Sequence, residues 1–344
     1  MKATDLLIPF GKLYGAIIDA RNTLYERGRF KSHHLGAKTI SIGNITTGGT
    51  GKTPLTALTA NILAAEGEKV CILSRGYGRS SKGRVLVSDK TNVLVDAQTG
   101  GDEPVELAER LLRKAIVIAD ADRVSAAAWA KENFDVSVFI LDDGFQHRRA
   151  ARDIDIVCID ATKAVQNDRV LPAGNLREDL KHLSRADAFV ITRSDLASED
   201  KVAEIKFTLR KYNPKATTFT SSTKINGLRR LNGDATVANG ELKFLAFCGI
   251  GNPETFYAGL RQHFELNGSA TITSTLAFAD HHKYGIADIE QVEKNAKAAG
   301  CKALITTAKD AVKLGSFSFT MPCYIAEIET VIDDLEAFRS MIAA

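Results

Sequence analysis

The stretch GNITTGGTGKTP at residues 43–54 contains the residue types that hold the phosphates of a nucleotide. Backbone N–H groups of a glycine-rich turn converge on phosphate oxygens at the amino end of a helix. Lys52 is placed to reach the β- and γ-phosphates, and the Thr53 hydroxyl to hold Mg²⁺. The pattern departs from the common loop at Thr46, where glycine is usual. The residues predicted to bind the nucleotide are Thr47, Gly48, Gly49, Thr50, Gly51, Lys52 and Thr53.

Two adjacent carboxylates in LDDGFQH supply the acidic partner that a phosphate site requires. An apolar run at 136–141 predicts a buried strand, and Asp142 and Asp143 follow where that strand ends. Burying two adjacent carboxylates without a cation is unfavourable, so the pair is predicted to hold a metal ion. The alternative is a solvated Asp-Asp-Gly turn. The sequence leaves open which of the two carboxylates contacts the metal directly.

Two further motifs place acidic residues and histidines in different parts of the chain. GGDEP places Asp102 and Glu103 ahead of a helical pattern, and FADHH places His281 and His282 after a predicted strand. Taken alone, the acidic residues are typical of a helix cap, and the histidines are typical of structural residues. Together, a carboxylate and an imidazole could meet across a cleft and deprotonate a hydroxyl for attack on a phosphoryl group.

Alternating strand and helix patterns position these motifs. Strands are predicted at 38–42, 69–73, 115–118, 136–141, 155–159 and 189–192, and helices at 53–65, 104–113 and 122–133. The alternation predicts an α/β protein with a doubly wound, mostly parallel sheet of the P-loop NTPase type. Ligands bind beyond the carboxyl ends of such strands, where the motifs lie.

A polar, turn-rich stretch at 213–240 predicts a linker or a β-ribbon, and a second α/β pattern follows it. Its strands are predicted at 243–248, 270–276, 302–306 and 323–326, and its helices at 253–263, 286–299 and 332–342. A chain of 344 residues is long enough for two cores. The predicted parts are an N-terminal helix at 1–35, a P-loop domain at 36–225 and a smaller α/β domain at 226–344 that closes the cleft.

The composition, with 44% hydrophobic and 25% charged residues, is typical of a globular protein. No apolar run approaches the roughly 20 residues of a membrane span, and a signal peptide is not recognisable. Five scattered cysteines without a C-x-x-C pair indicate a reducing compartment, without disulfides or a zinc site. The net charge of +3 does not indicate a nucleic-acid partner, and we expect none.

Residues 1–38 carry seven Lys or Arg against three acidic residues, a net charge of +4. Apolar residues recur there at helical spacing, and Pro9 fits a first turn. They are Leu6, Phe10, Leu13, Tyr14, Ile17 and Ile18. An apolar stripe flanked by basic residues predicts a helix that lies in the interface of an anionic membrane. The alternative is a helix packed on the protein core.

The motifs SIGNITTGGTGKTP, SRGYGR, GGDEP, LDDGFQH, PAGNLRE, GIGNPETF, FADHH and AKDAVKL occur in one order along the chain. In this order the chain resembles the tetraacyldisaccharide 4′-kinase (lipid A 4′-kinase) family over residues 5–315, and the Thr46 departure is normal in that family. The resemblance implies transfer of the ATP γ-phosphate, with Mg²⁺, to the 4′-hydroxyl of a tetraacylated glucosamine disaccharide 1-phosphate, which gives lipid IVA. It also implies a peripheral protein, expected to be a monomer, at the cytoplasmic face of a Gram-negative inner membrane.

The resemblance further implies roles for individual residues. Asp102 is expected to be the catalytic base, oriented by His281, while Lys52 serves the phosphates. Positions near the cleft with a predicted substrate-binding role are Glu103, Arg123, His147, Arg177 and Glu178. The motif TTAKDAVKL departs from the family at Ala308, where glutamate is expected. The separate role of His282 stays open.

One alternative is that the glycine-rich turn binds no ligand. Other functions also remain as alternatives. A membrane-recruited partitioning ATPase would carry a lysine at Thr47. A GTP-dependent switch is suggested by VITRSD, where Arg193 replaces the lysine of the guanine-reading motif. A dinucleotide-binding oxidoreductase could use GIGNPE, which lacks the third glycine and contains Pro253. Competition between ATP and GTP separates the kinase from the GTP switch.

Overall fold

The structure, a computed structural model, describes residues 6–163, 168–231, 242–268 and 270–344. Its strands are β1 (Lys38–Asn44), β2 (Val70–Ser74), β3 (Val85–Ser88), β4 (Ala115–Ala119), β5 (Val138–Asp142), β6 (Ile154–Asp160), β7 (Ala188–Thr192), β8 (Thr217–Arg230), β9 (Leu242–Cys248), β10 (Ala270–Ala277), β11 (Ala303–Thr307) and β12 (Cys323–Ile332). Its helices are α1 (Ile8–Glu26), α2 (Lys52–Ala65), α3 (Ala97–Gly100), α4 (Asp102–Arg110), α5 (Arg123–Asn133), α6 (Glu199–Tyr212), α7 (Pro253–Asn267), α8 (Ile286–Ala298), α9 (Ala308–Leu314) and α10 (Leu335–Ala343).

The twelve described strands form one sheet in the order β10-β9-β11-β12-β8-β7-β6-β1-β5-β2-β4-β3. Among these strands, neighbours are parallel except for two antiparallel pairs, β12 with β8 and β3 with β4. Strand β1, which leads into the glycine-rich loop, pairs with β5, which ends at Asp142. The predicted α/β class with a mostly parallel sheet is confirmed.

Strands β8 and β12 connect two sets of parallel strands. The first residues of β8 pair with β7, and the rest pair with β12 from Ser221–Ile332 to Arg230–Tyr324. Because this pairing is antiparallel, β12, β11, β9 and β10 run opposite to β1 and its neighbours. Segments that follow the carboxyl ends of both sets nevertheless line one cavity.

Most predicted elements are present within one to three residues of their expected bounds, because their apolar periodicity follows the burial of the sheet. Helix α6, the short helix α9 and strand β3 were not predicted. Helix α10 returns to the first set of strands: Phe338 and Ile342 belong to the same buried cluster as Ile40 and Leu55. The division of the chain at residues 225 and 226 stays a prediction, and β8 spans both positions.

The stretch at 213–240 is a ribbon in its described part, since β8 pairs with β12 over nine positions. The Asn226-Gly227 pair, which predicted a turn, lies inside β8. The register shifts there, from Gly227 opposite Glu327 to Ile225 opposite Ile328, and leaves Asn226 as the extra residue of a bulge. Residues 232–241, with the Asn232-Gly233 turn signal, lie outside the described residues.

Helix α1 packs on the protein with one face and exposes the other. Gly11 lies against Ala173, and the buried Asn22 bonds to Glu178. The exposed apolar side chains on the helix and just before it are Leu6, Leu7, Phe10, Leu13 and Ile17. The packed face agrees with the interpretation of a helix on the protein core, and the membrane interpretation stays a prediction. Among the described residues, no helix is long and apolar enough to span a bilayer, and all five cysteines are free and buried.

Candidate active site

The glycine-rich loop leads from β1 into the amino end of α2. Gly48 and Gly51 adopt left-handed backbone conformations, with φ of 85° and 76°, which residues other than glycine rarely adopt. Helix α2 begins at Lys52, and Thr53 lies in its first turn. The free N–H groups of this turn and the helix dipole point into the cleft, so the loop has the geometry that binds phosphate.

Residues at the carboxyl ends of β1 and β7 hold this turn in place from the side. Asn44 donates a hydrogen bond of 2.9 Å to the hydroxyl of Thr50, and Thr192 donates one of 2.9 Å to the Thr50 carbonyl. Arg193 donates to the Gly49 carbonyl at 3.1 Å. Thr192 and Arg193, the residues that suggested a guanine-reading motif, thus support the loop backbone.

The start of the loop explains the unusual Thr46. This residue forms an antiparallel bridge with Leu176, and the Thr47 N–H donates to the Asn175 carbonyl at 2.8 Å. Since its amide is already bonded, Thr47 has only its hydroxyl left to offer to a phosphate. The backbone amides predicted to bind phosphate are those from Gly48 onwards.

Asp142 and Asp143 lie beside the loop in different surroundings. Asp142 is fully buried and accepts hydrogen bonds from Ser74 at 3.0 Å and from Thr56 at 3.5 Å. Asp143 has a left-handed backbone, with φ of 52°, and its carboxylate lies 3.5 Å from the Lys52 ammonium. A left-handed aspartate costs about 1 kcal/mol or more, and such residues cluster at functional sites.

The charges of this pair favour a cation. Burial raises the pKa of Asp142 to about 7, helped by the negative charges of Glu103 and Asp143. Burial also opposes ionisation of Asp143, but Lys52 and Arg177 outweigh it and keep the pKa of Asp143 below its usual value. The Arg177 guanidinium lies 2.8 Å from that carboxylate.

These residues fit a magnesium ion that is also bound by nucleotide phosphates. No three His, Cys, Asp or Glu residues in the described part of the chain form a metal cage of their own. Mg²⁺ commonly takes only one or two protein carboxylates and completes its shell with water and phosphate oxygens. Two carboxylates beside a phosphate loop, with the Thr53 hydroxyl nearby, match that donor set.

Asp102 and His281 meet on the other side of the cleft. The Asp102 Oδ2 atom lies 3.2 Å from His281 Nδ1, although the residues are 179 positions apart. Gly101 is the N-cap of α4, so Asp102 is the first helical residue and its carboxylate turns to the histidine. Burial alone would raise the pKa of Asp102, but the His281 hydrogen bond and the Lys313 charge hold it below its usual value.

His281 and His282 have separate surroundings. His281 has a left-handed backbone, with φ of 58°, and faces Asp102. His282 contacts Asp288 at 3.1 Å and stacks on Phe278, with ring centroids 4.7 Å apart. The structure thereby assigns the contact with Asp102 to His281 and a structural contact to His282.

A cavity of about 280 Å³ lies between the two sets of strands. One side is lined by residues 48–54 and by Glu103, and the other by the segments that follow β9, β10 and β11. Ala308 lines it at the start of α9, where the family is expected to carry a glutamate. Sequence reasoning missed Lys163, Lys309 and Arg193 in this lining; AKDAVKL was the signal for Lys309.

Arg123 is buried and interacts with the charges of the acidic pair, and the half-buried His147 lies close to Arg123. The Arg123 Nε and the His147 Nε2 have no hydrogen-bond partner among the described residues. Burial lowers the pKa of His147 to about 4, and Arg123 and Arg152 add to the effect. An unpaired buried donor is unfavourable by about 1–3 kcal/mol, so these two atoms suit an incoming anionic or hydroxyl group.

Glu178, predicted to bind substrate, is buried in a network instead. Its carboxylate accepts from Arg185 at 3.1 Å, from Gln146 at 2.8 Å and from Asn22 of α1 at 2.9 Å. Both oxygens are used, and Glu178 is 1% exposed. This geometry gives Glu178 a positioning role, because Gln146 in turn accepts from Arg177 at 3.3 Å.

A glycine-rich loop with phosphate-binding geometry, two adjacent carboxylates beside it and a carboxylate–imidazole pair are together typical of a P-loop phosphotransferase. The family model described as Tetraacyldisaccharide-1-P 4′-kinase matches residues 3–344. The chain belongs to this family, as its motifs predicted.

Relatives and a solved structure agree with this assignment. The tetraacyldisaccharide 4′-kinase of Desulfotalea psychrophila is 40% identical over 338 residues, which cover 96% of this chain and 95% of the relative. The tetraacyldisaccharide 4′-kinase of Halothermothrix orenii is 40% identical over 320 residues, which cover 88% of this chain and 80% of the relative. A crystal structure of LpxK from Aquifex aeolicus in complex with ATP is 32% identical, with a TM-score of 0.76, covering 99% of this chain and 98% of the other.

Proposed function

We propose that this chain carries out its family's reaction, ATP-dependent phosphorylation of the 4′-hydroxyl of tetraacyldisaccharide 1-phosphate in lipid A biosynthesis, with Asp102 as the general base. The observation that carries the proposal is the contact between Asp102 and His281. These two residues come from opposite sets of strands and meet beside Glu103 and Asp280, which line the cavity that contains the phosphate loop. A nucleotide-binding switch needs no such pair.

The residues divide the work of phosphoryl transfer. Backbone amides from Gly48 onwards and the Lys52 ammonium bind the triphosphate and stabilise the charge that develops on the transferred group. Asp102 accepts the proton of the sugar hydroxyl as its oxygen attacks the γ-phosphorus and ADP leaves. His281 orients the Asp102 carboxylate through its ring N–H.

Magnesium would be held by Asp142, Asp143 and the Thr53 hydroxyl, together with nucleotide phosphates. When bound, it supplies positive charge to the phosphate oxygens. Lys52 and Arg177 keep Asp143 ionised, while Ser74 and Thr56 fix the orientation of the Asp142 carboxylate.

Four further residues are proposed to contact the lipid substrate or the transferred phosphate. Arg123 and His147 offer buried donors without partners, and Arg177 presents its guanidinium beside Asp143. Glu103 lines the cavity next to Asp102 and is proposed to contact the substrate there.

The direct test is transfer of label from γ-labelled ATP to a detergent-dispersed disaccharide 1-phosphate acceptor in the presence of Mg²⁺. We expect labelled lipid with the wild-type chain and none with Lys52→Ala. A control variant, Glu132→Gln on the exposed face of α5, should match the wild type. GTP that supports transfer as well as ATP, or no labelled lipid, would refute the assignment.

The exposed face of α1 supports a peripheral position at an anionic membrane surface, which is where the family's acylated substrate would lie. Phe10, Leu13 and Ile17 are 62%, 62% and 59% exposed, and their apolar area has no protein partner among the described residues. Exposed basic residues flank this face at Lys12, Arg27, Arg29 and Lys31. Such a helix binds by burying apolar side chains at the headgroup boundary and by attracting anionic lipids.

Sedimentation with liposomes tests this position. A triple variant, Phe10→Ser, Leu13→Ser and Ile17→Ser, should lose at least about tenfold in binding to anionic vesicles, because each buried apolar side chain contributes about 1.5–3 kcal/mol. Phe207→Ser on α6, which is 73% exposed, is the matched control and should bind normally. Equal binding of both variants would exclude α1 as the membrane contact.

The monomeric state and the inner-membrane location stay predictions. Light scattering of the detergent-solubilised protein measures the first, and fractionation of the producing cells measures the second.

A further inference from the structure

Two lysines of α9 flank the Asp102–His281 pair. Lys309 and Lys313 are four residues apart, so they lie on the same face of the helix. The Lys309 Nζ lies 3.3 Å from His281 Nε2, and the Lys313 Nζ lies 3.7 Å from Asp102 Oδ2. Each member of the pair therefore has a lysine of its own.

Helix α9 is fixed against the second set of strands by Asp310. This carboxylate is fully buried and accepts hydrogen bonds from the Gly249 N–H at 3.0 Å and from the Thr307 hydroxyl at 2.7 Å. The Thr307 hydroxyl also caps the helix by accepting from the Asp310 N–H. These contacts set where the two lysines lie relative to the turn that carries His281.

The position of Lys309 agrees with the ring form that Asp102 requires, because an ionised carboxylate can only accept and the His281 nitrogen that faces it must carry the proton. An ammonium group can only donate, so His281 Nε2 must accept the hydrogen bond from Lys309. The neutral ring then carries its proton on Nδ1 and donates it to Asp102 Oδ2. Lys309 also contacts Asp280 at 3.2 Å, which anchors its ammonium next to the ring.

Lys313 is buried between carboxylates. Its side chain is 8% exposed, and its ammonium lies 3.1 Å from Asp310 and 3.7 Å from Asp102. No hydrogen bond of good geometry reaches its Nζ among the described residues. Its Nζ lies 5.3 Å from the centre of the Tyr284 ring. A buried ammonium in this position stabilises the ionised form of the carboxylate beside it.

We propose that Lys309 and Lys313 are positioning residues of the phosphotransfer site: Lys309 donates to Nε2 of His281 and holds the ring with its Nδ1–H on Asp102, and Lys313 keeps Asp102 ionised and ready to accept a proton. This inference rests on the proposed function, since it assigns Asp102 as the base. It gives the AKDAVKL segment a role that does not involve nucleotide binding.

The charged groups around Asp102 set the sign of the pH effect. They are His281 from the turn after β10 and Lys309 and Lys313 from α9, with Asp280 and Asp310 behind the lysines. Loss of the Lys313 charge removes a stabilising cation from the carboxylate, so the pKa of Asp102 rises. The acidic limb of the kcat profile should therefore move to higher pH, by about one unit.

The first experiment compares pH profiles of kcat for the wild type, Lys313→Met and Lys313→Arg, with Lys294→Met on the exposed face of α8 as control. We expect the shift with Lys313→Met alone, and an arginine profile near that of the wild type. Superimposable profiles for Lys313→Met and the wild type would overturn the role of Lys313. An inactive wild type, or full activity in Asp102→Asn, would instead refute the proposed function.

The second experiment reads the tautomer directly and does not depend on folding of a variant. ¹⁵N NMR of histidine-labelled wild-type protein near pH 7.5, with His281→Asn for assignment, should show His281 protonated on Nδ1 and not on Nε2. A proton on Nε2 overturns the role of Lys309. In Lys309→Met the ring keeps its Nδ1–H on Asp102 but Nε2 loses its donor, so the Nε2 resonance should shift and kcat should fall about tenfold, with a smaller change in the KM for ATP. An unchanged Nε2 resonance in this variant would also contradict the proposal.

Discussion

The two sides of the cleft are built in different ways. The phosphate side comprises residues 48–53 with Asp142 and Asp143, and β1 and β5, which carry them, pair directly in the sheet. The hydroxyl side comprises Asp102, His281, Lys309 and Lys313, which come from three distant segments. Its contacts are side-chain ion pairs and hydrogen bonds that cross between the two sets of strands.

This difference separates what local sequence determines from what the fold determines. Glycine conformations and a helix start are encoded within a few residues, so the loop at 48–53 is largely a local structure, to which Thr192 and Arg193 add two hydrogen bonds. The hydroxyl side exists only when both sets of strands are in place. We therefore expect substitutions on the phosphate side to affect both nucleotide binding and the chemical step. Substitutions on the hydroxyl side should affect mainly the chemical step.

The largest effect is expected on the phosphate side. Lys52→Ala removes the cation that stabilises the transferred group, so kcat/KM should fall about 10³- to 10⁵-fold. The backbone amides remain, so the variant should keep its fold, as judged by an unchanged thermal midpoint. Steady-state assays with labelled ATP measure the loss, and turnover near the wild-type rate would show that the loop does not bind the reacting phosphate.

On the hydroxyl side, Asp102→Asn keeps the size of the side chain and removes the base. We expect kcat to fall about 10²- to 10⁴-fold, with a much smaller change in ATP affinity. Separate measurement of kcat and of nucleotide binding by calorimetry tests the division between the two sides. A parallel loss of both quantities would show that Asp102 belongs to the nucleotide site.

A smaller effect should come from the network that links α1 to the phosphate side. Asn22→Ala removes the bond to Glu178, which leads through Gln146 and Arg177 to Asp143. The free energy of unfolding should decrease by about 1–3 kcal/mol, because a buried acceptor loses its donor. Denaturant titration measures this change. If the free energy of unfolding decreases by this amount while vesicle binding stays normal, the contact that anchors α1 to the protein is independent of the exposed face that binds vesicles.

The smallest effect concerns stability in acid. The pKa of His147 is lowered to about 4 by burial, so the ring is neutral in the fold while the unfolded chain binds a proton below about 6.5. Stability therefore falls as the pH drops from about 6.5 towards 4, since the unfolded state gains protons first. His147→Gln should flatten this part of a plot of unfolding free energy against pH. An unaltered slope would remove His147 as its source.

Much of the fold follows from the sequence where burial and periodicity agree. The runs of Val, Ile and Leu in β1, β2, β4, β5 and β7 are buried on both faces, which is typical of parallel strands. Strand β8 was harder to recognise because Thr, Ser and Asn dominate it and only one large apolar side chain, Phe219, is fully buried. Its partner β12 lies about 100 residues away, and local patterns carry no information on that pairing.

The candidate site divides in the same way between local and distant information. One motif predicts Lys52 and Thr53, and another predicts Asp142 and Asp143. The pairing of Asp102 with His281 was a hypothesis that the structure places within hydrogen-bond distance. The lysines of α9 were not predicted as site residues, because a lysine on a short helix has no distinguishing pattern until the fold brings it to a carboxylate.

The antiparallel pairing of β8 with β12 has a mechanical consequence. Opening or narrowing of the cleft must bend a continuous hydrogen-bonded ladder, because the backbone on both sides belongs to it. The connection between the two sets of strands is therefore elastic and is not a free hinge. We expect it to bend most easily at the bulge at Asn226, where the ladder is interrupted.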